Sequence, residues 1–257
     1  MAQRDIIRTQ AIVLRGMDYS ETSRIVTLFT REQGKVSVMA KGARRTKSSY
    51  GSTLQPMAYT QVVYYYKPTR TLQMLSESSH VRAFHDLNRR LDKIKIGLRI
   101  VELVDALMEE EDPQPAVFAV TLTALDALDR ADERIYNLWP FVQLRIARVL
   151  GVAPAIDRDK VEAVTDEGGI LSLANGGVYP QSARPSHARR ASRAALRAFA
   201  LLARAGVDVI LRMDLDHQTR ARVHQLVAEY MQFQFESAYP TRSRDVISQM
   251  KGGDGEW

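Results

Sequence analysis

The feature that most constrains the fold is a change of sequence periodicity near residue 80. Between Thr9 and Ser79, short β-branched segments alternate apolar and polar residues, and turn-prone pieces such as REQG and KPTR separate them. The segments are TQAIVLR, TSRIVTLFT, GKVSVMAK, AYTQVVYYY and TLQMLSESS. Because five strands in about 70 residues leave no room for crossover helices, residues 1–80 are predicted to form a closed, five-stranded OB-fold barrel. The segment Thr30 to Lys35 is predicted to be a tight hairpin with Gly34 at positive φ.

After His80 the apolar residues recur at spacings of three and four, which predicts helices. The first covers LNRRLDKIKIGLRIVELVDALMEE, and the second begins at Pro115. The others are predicted at 132–150, 186–205 and 214–238, with Pro140 at the start or at a kink of the third. Residues 81–150 and 181–257 are therefore assigned to an α-helical domain.

Residues 151–180 interrupt this helical domain. The segment is rich in Gly and Pro, has short apolar runs, and is too long for a plain connection in a compact domain. We predict a small inserted lobe of turns and strands. The fold class is therefore α+β, with a barrel, a helical domain and this lobe.

Composition excludes several classes of protein. The chain has 257 residues, 45% of them apolar and 26% charged, which is typical of a globular protein. It has no cysteine, so disulfides and thiolate metal sites are excluded. The N-terminal residues lack the apolar core of a signal peptide, and no window holds 18 uncharged apolar residues. We expect a cytoplasmic protein that is not bound to a membrane.

Motifs of catalysis are missing from the sequence. The five histidines form no HExxH pattern, the glycine pairs are not followed by GK[ST], and there is no GxSxG elbow. The carboxylates at 109–112 are expected to be a solvated helix end. We therefore expect a protein that is not an enzyme and needs no cofactor.

Positive charge is concentrated in the first third of the chain. Residues 1–80 hold 12 Lys and Arg against 5 Asp and Glu, whereas the whole chain holds 36 against 30. Such an excess favours a polyanion as ligand. The predicted DNA-binding residues are the cations Arg24, Lys35, Lys41, Arg44, Arg45 and Lys47, with Tyr64 and Tyr66 as rings that stack on bases. Packing of the two tyrosines within the sheet is the alternative.

A second basic zone lies between Arg184 and Arg204. Arg189, Arg190, Arg193 and Arg197 are predicted to share one helix, with Arg145 and Arg148 on a neighbouring helix. This zone is either a solvated helix face, a second DNA contact, or a site for an acidic partner segment.

The run from Tyr19 to Met57 resembles the N-terminal barrel of the bacterial recombination mediator family RecO. The matching motifs are the ETS opening at Glu21 to Ser23, the hairpin at Thr30 to Lys35 and the exit at Ala40 to Arg44; the weaker ones are FVQLRIARVLGVAPAIDR (141–158) and TRSRDVI (241–247). The resemblance implies an OB-fold before a helical domain, binding of single- and double-stranded DNA, and annealing of complementary strands. It also implies partnership with RecR, contact with the acidic tail of single-stranded-DNA-binding protein, and loading of RecA onto DNA covered by that protein.

One departure from the family concerns the inserted lobe, which in many members binds zinc through two C-x-x-C pairs. The matching positions here are Asp159, Glu162, Ser172 and Asn175. Without thiolates a tetrahedral zinc site has no soft ligands, so we predict a zinc-ribbon-like lobe without metal. Its apolar residues must then hold it together: Val161, Val164, Ile170, Leu171 and Leu173.

Two other functions stay open at this point. One is an RNA-binding OB-fold protein whose helical domain serves for oligomerisation. The other is a hydrolase that uses carboxylates of the helical domain and would need a deep pocket.

Overall fold

The N-terminal part folds into a closed barrel. The computed structural model describes residues 5–240, and its first five strands are β1 (Asp5–Tyr19), β2 (Ser23–Thr30), β3 (Gly34–Ala40), β4 (Tyr59–Tyr66) and β5 (Leu72–Arg82). They pair in the order β1-β2-β3-β5-β4, with β3 and β5 parallel and the other pairs antiparallel. This is the OB-fold that the sequence predicts.

The long first strand closes the barrel because it pairs on both sides. Its N-terminal half lies beside β4 and its C-terminal half beside β2, with a register shift between Val13 and Arg15. A shift of this kind bends a strand and changes which side chains point inward. Apolar residues such as Val13, Val26, Val38 and Val62 then fill the interior.

The hairpin between β2 and β3 has the predicted geometry. Gly34 has φ +68°, and the Thr30 hydroxyl donates to the Gly34 carbonyl at 2.9 Å. A Cβ at Gly34 would lie 2.3 Å from the backbone oxygen of Asp112. Glycine is therefore required here by its conformation and by the close approach of a second segment.

The rest of the described chain is mainly helical. Its elements are α1 (Leu91–Leu107), α2 (Pro115–Arg130), α3 (Leu138–Val149), α4 (Arg158–Glu162), β6 (Gly169–Ser172), β7 (Val178–Pro180), β8 (Ala188–Ala191), α5 (Arg193–Arg204), α6 (Val207–Ile210) and α7 (His217–Phe235). Pro115 opens α2 as predicted, and Pro140 lies in the first turn of α3. The helix predicted from residue 186 is wrong at its start, because residues 188–191 pair with β6 and the Ser192 side chain caps α5 by accepting from the Ala195 amide.

The inserted lobe is a three-stranded sheet in the order β7-β6-β8. The five apolar residues expected to hold it together are all buried. Ser172 donates to the Ser186 carbonyl at 3.0 Å, Asn175 accepts from the Gly177 amide at 2.9 Å, and Glu162 pairs with Arg158 at 2.8 Å. Within residues 5–240, no group of three or more His, Asp or Glu side chains is placed to hold a metal ion.

The barrel and the helices share one apolar core. The ring of Phe118 on α2 lies 5.8 Å from that of Phe29 and 6.3 Å from that of Tyr59, measured between centroids. Polar contacts close the edge of this junction, where Lys35 Nζ donates to the Asp105 carbonyl at 2.8 Å and Arg15 pairs with the Asp105 carboxylate at 2.8 Å. The junction covers one side of the barrel and fixes its orientation.

Length and polarity rule out a membrane-crossing helix in the described part of the chain. The basic stretch at 241–247, which contributed to the family resemblance, lies outside the described residues.

The helical domain contains a histidine that should make stability depend on pH. Burial, with the nearby guanidiniums of Arg99 and Arg220, lowers the pKa of His224 to about 4. Because an unfolded histidine has a pKa of about 6.5, the unfolded chain binds the extra proton first as pH falls. The stability present above pH 6.5 is therefore lost as pH falls towards 4, by about 2.5 kcal/mol between pH 7.5 and 4.5.

Urea unfolding at these two pH values measures this loss. The variant His224→Gln should reduce the pH dependence by about 2.5 kcal/mol relative to the unaltered protein. The matched control is His85→Gln, at a histidine on the surface. An unchanged pH dependence in His224→Gln would contradict the assignment.

Candidate nucleic-acid interface

The basic loop, residues 41–48, follows β3 at the mouth of the barrel. Gly42 takes φ +75° at its first turn. The Arg44 amide donates to the Thr22 carbonyl at 3.0 Å, and the Ser48 amide to the Arg45 carbonyl at 3.0 Å. These bonds fold the loop against the β1–β2 turn. Four exposed cations are thereby held close together: Lys41, Arg44, Arg45 and Lys47.

The cations of the basic loop differ in whether they form an ion pair within the protein. Arg44 pairs with Asp18 at 3.2 Å and donates to the Ser20 carbonyl at 2.6 Å. Within residues 5–240, no ion pair involves Lys41, Arg45 or Lys47. These three side chains are available to an anionic ligand.

Two of the predicted DNA-binding cations are engaged elsewhere. Arg24 lies 4.0 Å from Asp18 and folds against Gly16, where a Cβ would come within 2.7 Å of its Nε. Lys35 is tied to Asp105 at the junction with the helices, 3.6 Å from its carboxylate. Burial raises the pKa of the neighbouring Glu110, and Lys35 opposes this rise. The prediction that Arg24 and Lys35 extend the exposed basic cluster is therefore wrong.

The two predicted stacking rings differ in their surroundings, and the prediction for Tyr64 is wrong. Tyr64 is 0% exposed inside the barrel, and burial raises the pKa of its phenol. Tyr66 donates to Glu111 at 3.4 Å, and desolvation and that carboxylate raise its pKa. The Tyr64 ring cannot stack on a base because it is buried, whereas the half-buried Tyr66 faces an acidic segment that repels phosphates. On β4, Tyr65 faces outward and is 38% exposed.

The turn between β4 and β5 carries two further cations, Lys67 and Arg70. The buried Gln73 shapes this turn, since its side-chain amide donates to the carbonyls of both cations at 3.1 and 2.6 Å and accepts from the Lys67 amide at 2.9 Å. Leu72 is the Cα partner of Ser37, so the turn lies beside the first half of β3. The KPTR motif predicts this turn, and its Lys and Arg are the signal in the sequence for the two cations.

The second basic zone does not form one helix face. Arg189 and Arg190 lie on β8, whereas Arg193 and Arg197 lie on α5. Arg189 pairs with Glu229, and Arg193 pairs with Asp166 at 2.8 Å. The predicted continuous stripe of four arginines is therefore wrong, because strand pairing separates its first half from its second.

Arg145 and Arg148 bind the C-terminal end of α5. Arg148 donates to the Ala203 carbonyl at 2.7 Å, and Arg145 donates to that of Ala205. Burial and the nearby Arg148 lower the pKa of Arg145. A helix C-terminus attracts cations through its unpaired carbonyls, so both guanidiniums serve the packing of α3 on α5.

A cavity of about 750 Å³ lies between α4 and α5. Its polar rim includes Arg197, Arg204 and the ion pair of Arg158 with Glu162. The apolar lining residues are Ile156, Val161, Ala200 and Leu201. Charge and apolar surface therefore occur together here, as a site for an acidic peptide with an apolar anchor would require.

Comparison with known proteins identifies the family of this chain. A model of the recombination protein O N-terminal domain matches residues 1–84, and a model of its C-terminal domain matches residues 88–244. The DNA repair protein RecO of Salinibacter ruber is 62% identical over 98% of this chain and 97% of its own length. RecO of Rhodopirellula baltica is 37% identical, with 75% of this chain and 73% of that protein covered. The barrel, the helical domain and these matches together establish that the chain belongs to the RecO family of DNA repair proteins.

Proposed function

We propose that this protein is a recombination mediator that binds single- and double-stranded DNA and anneals complementary strands. With RecR, it would help to load RecA onto DNA coated with single-stranded-DNA-binding protein. It acts without catalysing a chemical reaction, and its place of action is the nucleoid in the cytoplasm. The observation that carries the proposal is the set of unpaired cations in the basic loop.

The proposed binding is electrostatic. Lysine and arginine side chains neutralise phosphates and release condensed counterions, which provides affinity without reading the sequence. Lys41, Arg45 and Lys47 are exposed for this purpose, and Lys67 and Arg70 extend the cationic surface along the barrel. Annealing follows from the same charge, because neutralised phosphates on two strands repel each other less.

For the acidic tail of single-stranded-DNA-binding protein we propose the cavity between α4 and α5. Arg145 and Arg148, the residues that the sequence suggested, already bind the carbonyls at the end of α5. Arg197 and Arg204 line the cavity instead. They provide positive charge beside apolar lining residues, which matches an acidic segment with apolar residues.

Salt dependence tests the DNA contact. If Lys41, Arg45, Lys47, Lys67 and Arg70 each hold one phosphate of a single strand, log affinity should fall with log salt at a slope of about −3.5, since each contact contributes about −0.7. Replacing the first three by Gln should reduce the slope to about −1.4. Fluorescence anisotropy with a labelled oligonucleotide measures both values.

The control for this titration is Arg89→Gln with Arg212→Gln, at two exposed arginines of the helical domain. It should retain the slope of the unaltered protein. A slope near zero in the unaltered protein would contradict DNA binding through phosphates. An RNA of equal length serves as competitor, and stronger capture of RNA would favour the RNA-binding alternative.

Peptide capture tests the cavity. Arg197→Glu with Arg204→Glu should weaken binding of a synthetic acidic-tail peptide at least tenfold, because the rim charge is reversed. The matched control is Arg89→Glu with Arg212→Glu, which changes the net charge equally. Undiminished binding in the cavity variant, measured by isothermal titration calorimetry, would contradict this site.

A further inference from the structure

A row of apolar side chains crosses the outer surface of the barrel. Each member is the Cα partner of the next on the neighbouring strand, although the residues are far apart in sequence. In spatial order the row consists of Ile6, Tyr65, Met74, Met39, Ile25 and Met17. At a strand spacing of about 4.8 Å, five steps span about 24 Å. We call this set the apolar row.

The apolar row belongs to neither hydrophobic core of the described chain. Ile6 is 65% exposed, Met17 is 53% exposed, and Tyr65 is 38% exposed. Ile25, Met39 and Met74 are half-buried. Solvent thus reaches a continuous line of apolar atoms across the barrel, and such a line points to a binding surface.

The width of the row favours a nucleic-acid strand as its ligand. Side chains two residues apart share one face of a strand, so Met39 is flanked by Ser37 and Lys41, whereas Met74 lies between Leu72 and Ser76. The apolar surface is therefore one or two side chains wide in this region. A stable protein interface needs about 800 Å² on each partner with an apolar centre, and a strip of this width suits a narrower ligand.

Positive charge flanks the row at two places. Lys41, two residues after Met39, begins the basic loop, and Lys67, two residues after Tyr65, begins the β4–β5 turn with Arg70. A ligand along the row would meet apolar atoms between two cationic loops. Unpaired DNA has matching chemistry, since its bases have apolar faces and its backbone carries one charge per nucleotide.

We propose that the apolar row is the surface on which the unpaired bases of single-stranded DNA rest, while the basic loop and the β4–β5 turn hold the phosphates. This inference rests on the proposed DNA binding. Tyr65 offers a ring for stacking. The thioethers of Met39 and Met74 are flexible and polarisable and can fit any base. The row therefore adds affinity that does not depend on base identity.

The test uses the triple variant Tyr65→Thr, Met39→Thr and Met74→Thr, which keeps strand-forming residues at exposed or half-buried positions. Its affinity for single-stranded DNA should fall about tenfold or more. The slope of log affinity against log salt should not change, because all cations remain. Affinity for duplex DNA should also be retained, since paired bases are stacked inside the helix and cannot reach the row.

Two further variants separate contact from folding. Met39→Leu with Met74→Leu keeps the apolar volume and should bind single strands like the unaltered protein. Val81→Thr removes an exposed apolar residue of β5 outside the row and should also leave affinity unchanged. Thermal unfolding of each variant, followed by circular dichroism, establishes that the barrel is intact.

An abasic oligonucleotide supplies the decisive comparison. The triple variant and the unaltered protein should bind it equally, because the row has no bases to contact. Two results would overturn the role of the row and leave the proposed DNA binding standing. One is equal affinity of the triple variant and the unaltered protein for normal single strands. The other is a loss of affinity in the triple variant that is the same on normal and abasic strands. Absence of any DNA binding by the unaltered protein would instead defeat the proposed function itself.

Discussion

The packing of Phe118 against Phe29 and Tyr59 is the contact on which the rest of the structure depends. It joins the barrel and the helices through one apolar core, and burial of this apolar surface gives a stabilising free energy that grows with area. Lys35 and Asp105 close its edge. Because this side of the barrel is covered, the basic loop and the apolar row are left on the uncovered surface, at fixed positions relative to the helices.

The barrel could be predicted from the sequence because its signals are local. Alternating residues, Gly34 and the short turns each specify structure within a few residues. The helical periodicity and Pro115 are local signals too, and they predict the helices after residue 80. Partners distant in sequence could not be predicted: the exposed strand end predicts that Lys35 contacts DNA, whereas its partner in the structure is Asp105, 70 residues away.

The predictions for the tyrosines and for the second basic zone differ from the structure for different reasons. The strand YTQVVYYY has large side chains on both faces, so alternation alone could not tell which tyrosine faces outward. Residues 186–205 are rich in Ala and Arg and favour a helix, yet β8 pairs with β6 before the helix begins. Ser192 was a readable signal for the true start, since serine is a preferred N-cap residue.

The inserted lobe is held together by apolar packing and local hydrogen bonds. Five apolar side chains are buried at its centre, and Asp157 caps α4 by accepting from the Asp159 and Lys160 amides. Asn175 donates to Tyr179 at 3.0 Å. In this chain, which has no cysteine, packing and local hydrogen bonds hold the lobe together.

Hydrogen–deuterium exchange with and without a single-stranded oligonucleotide tests the central claim most directly. If the uncovered side of the barrel binds DNA, amides of the basic loop, of β3 and of the β4–β5 turn should exchange more slowly in the complex, while those of α3 and α5 stay unchanged. Protection confined to the helical domain, with none in the barrel, would contradict the account.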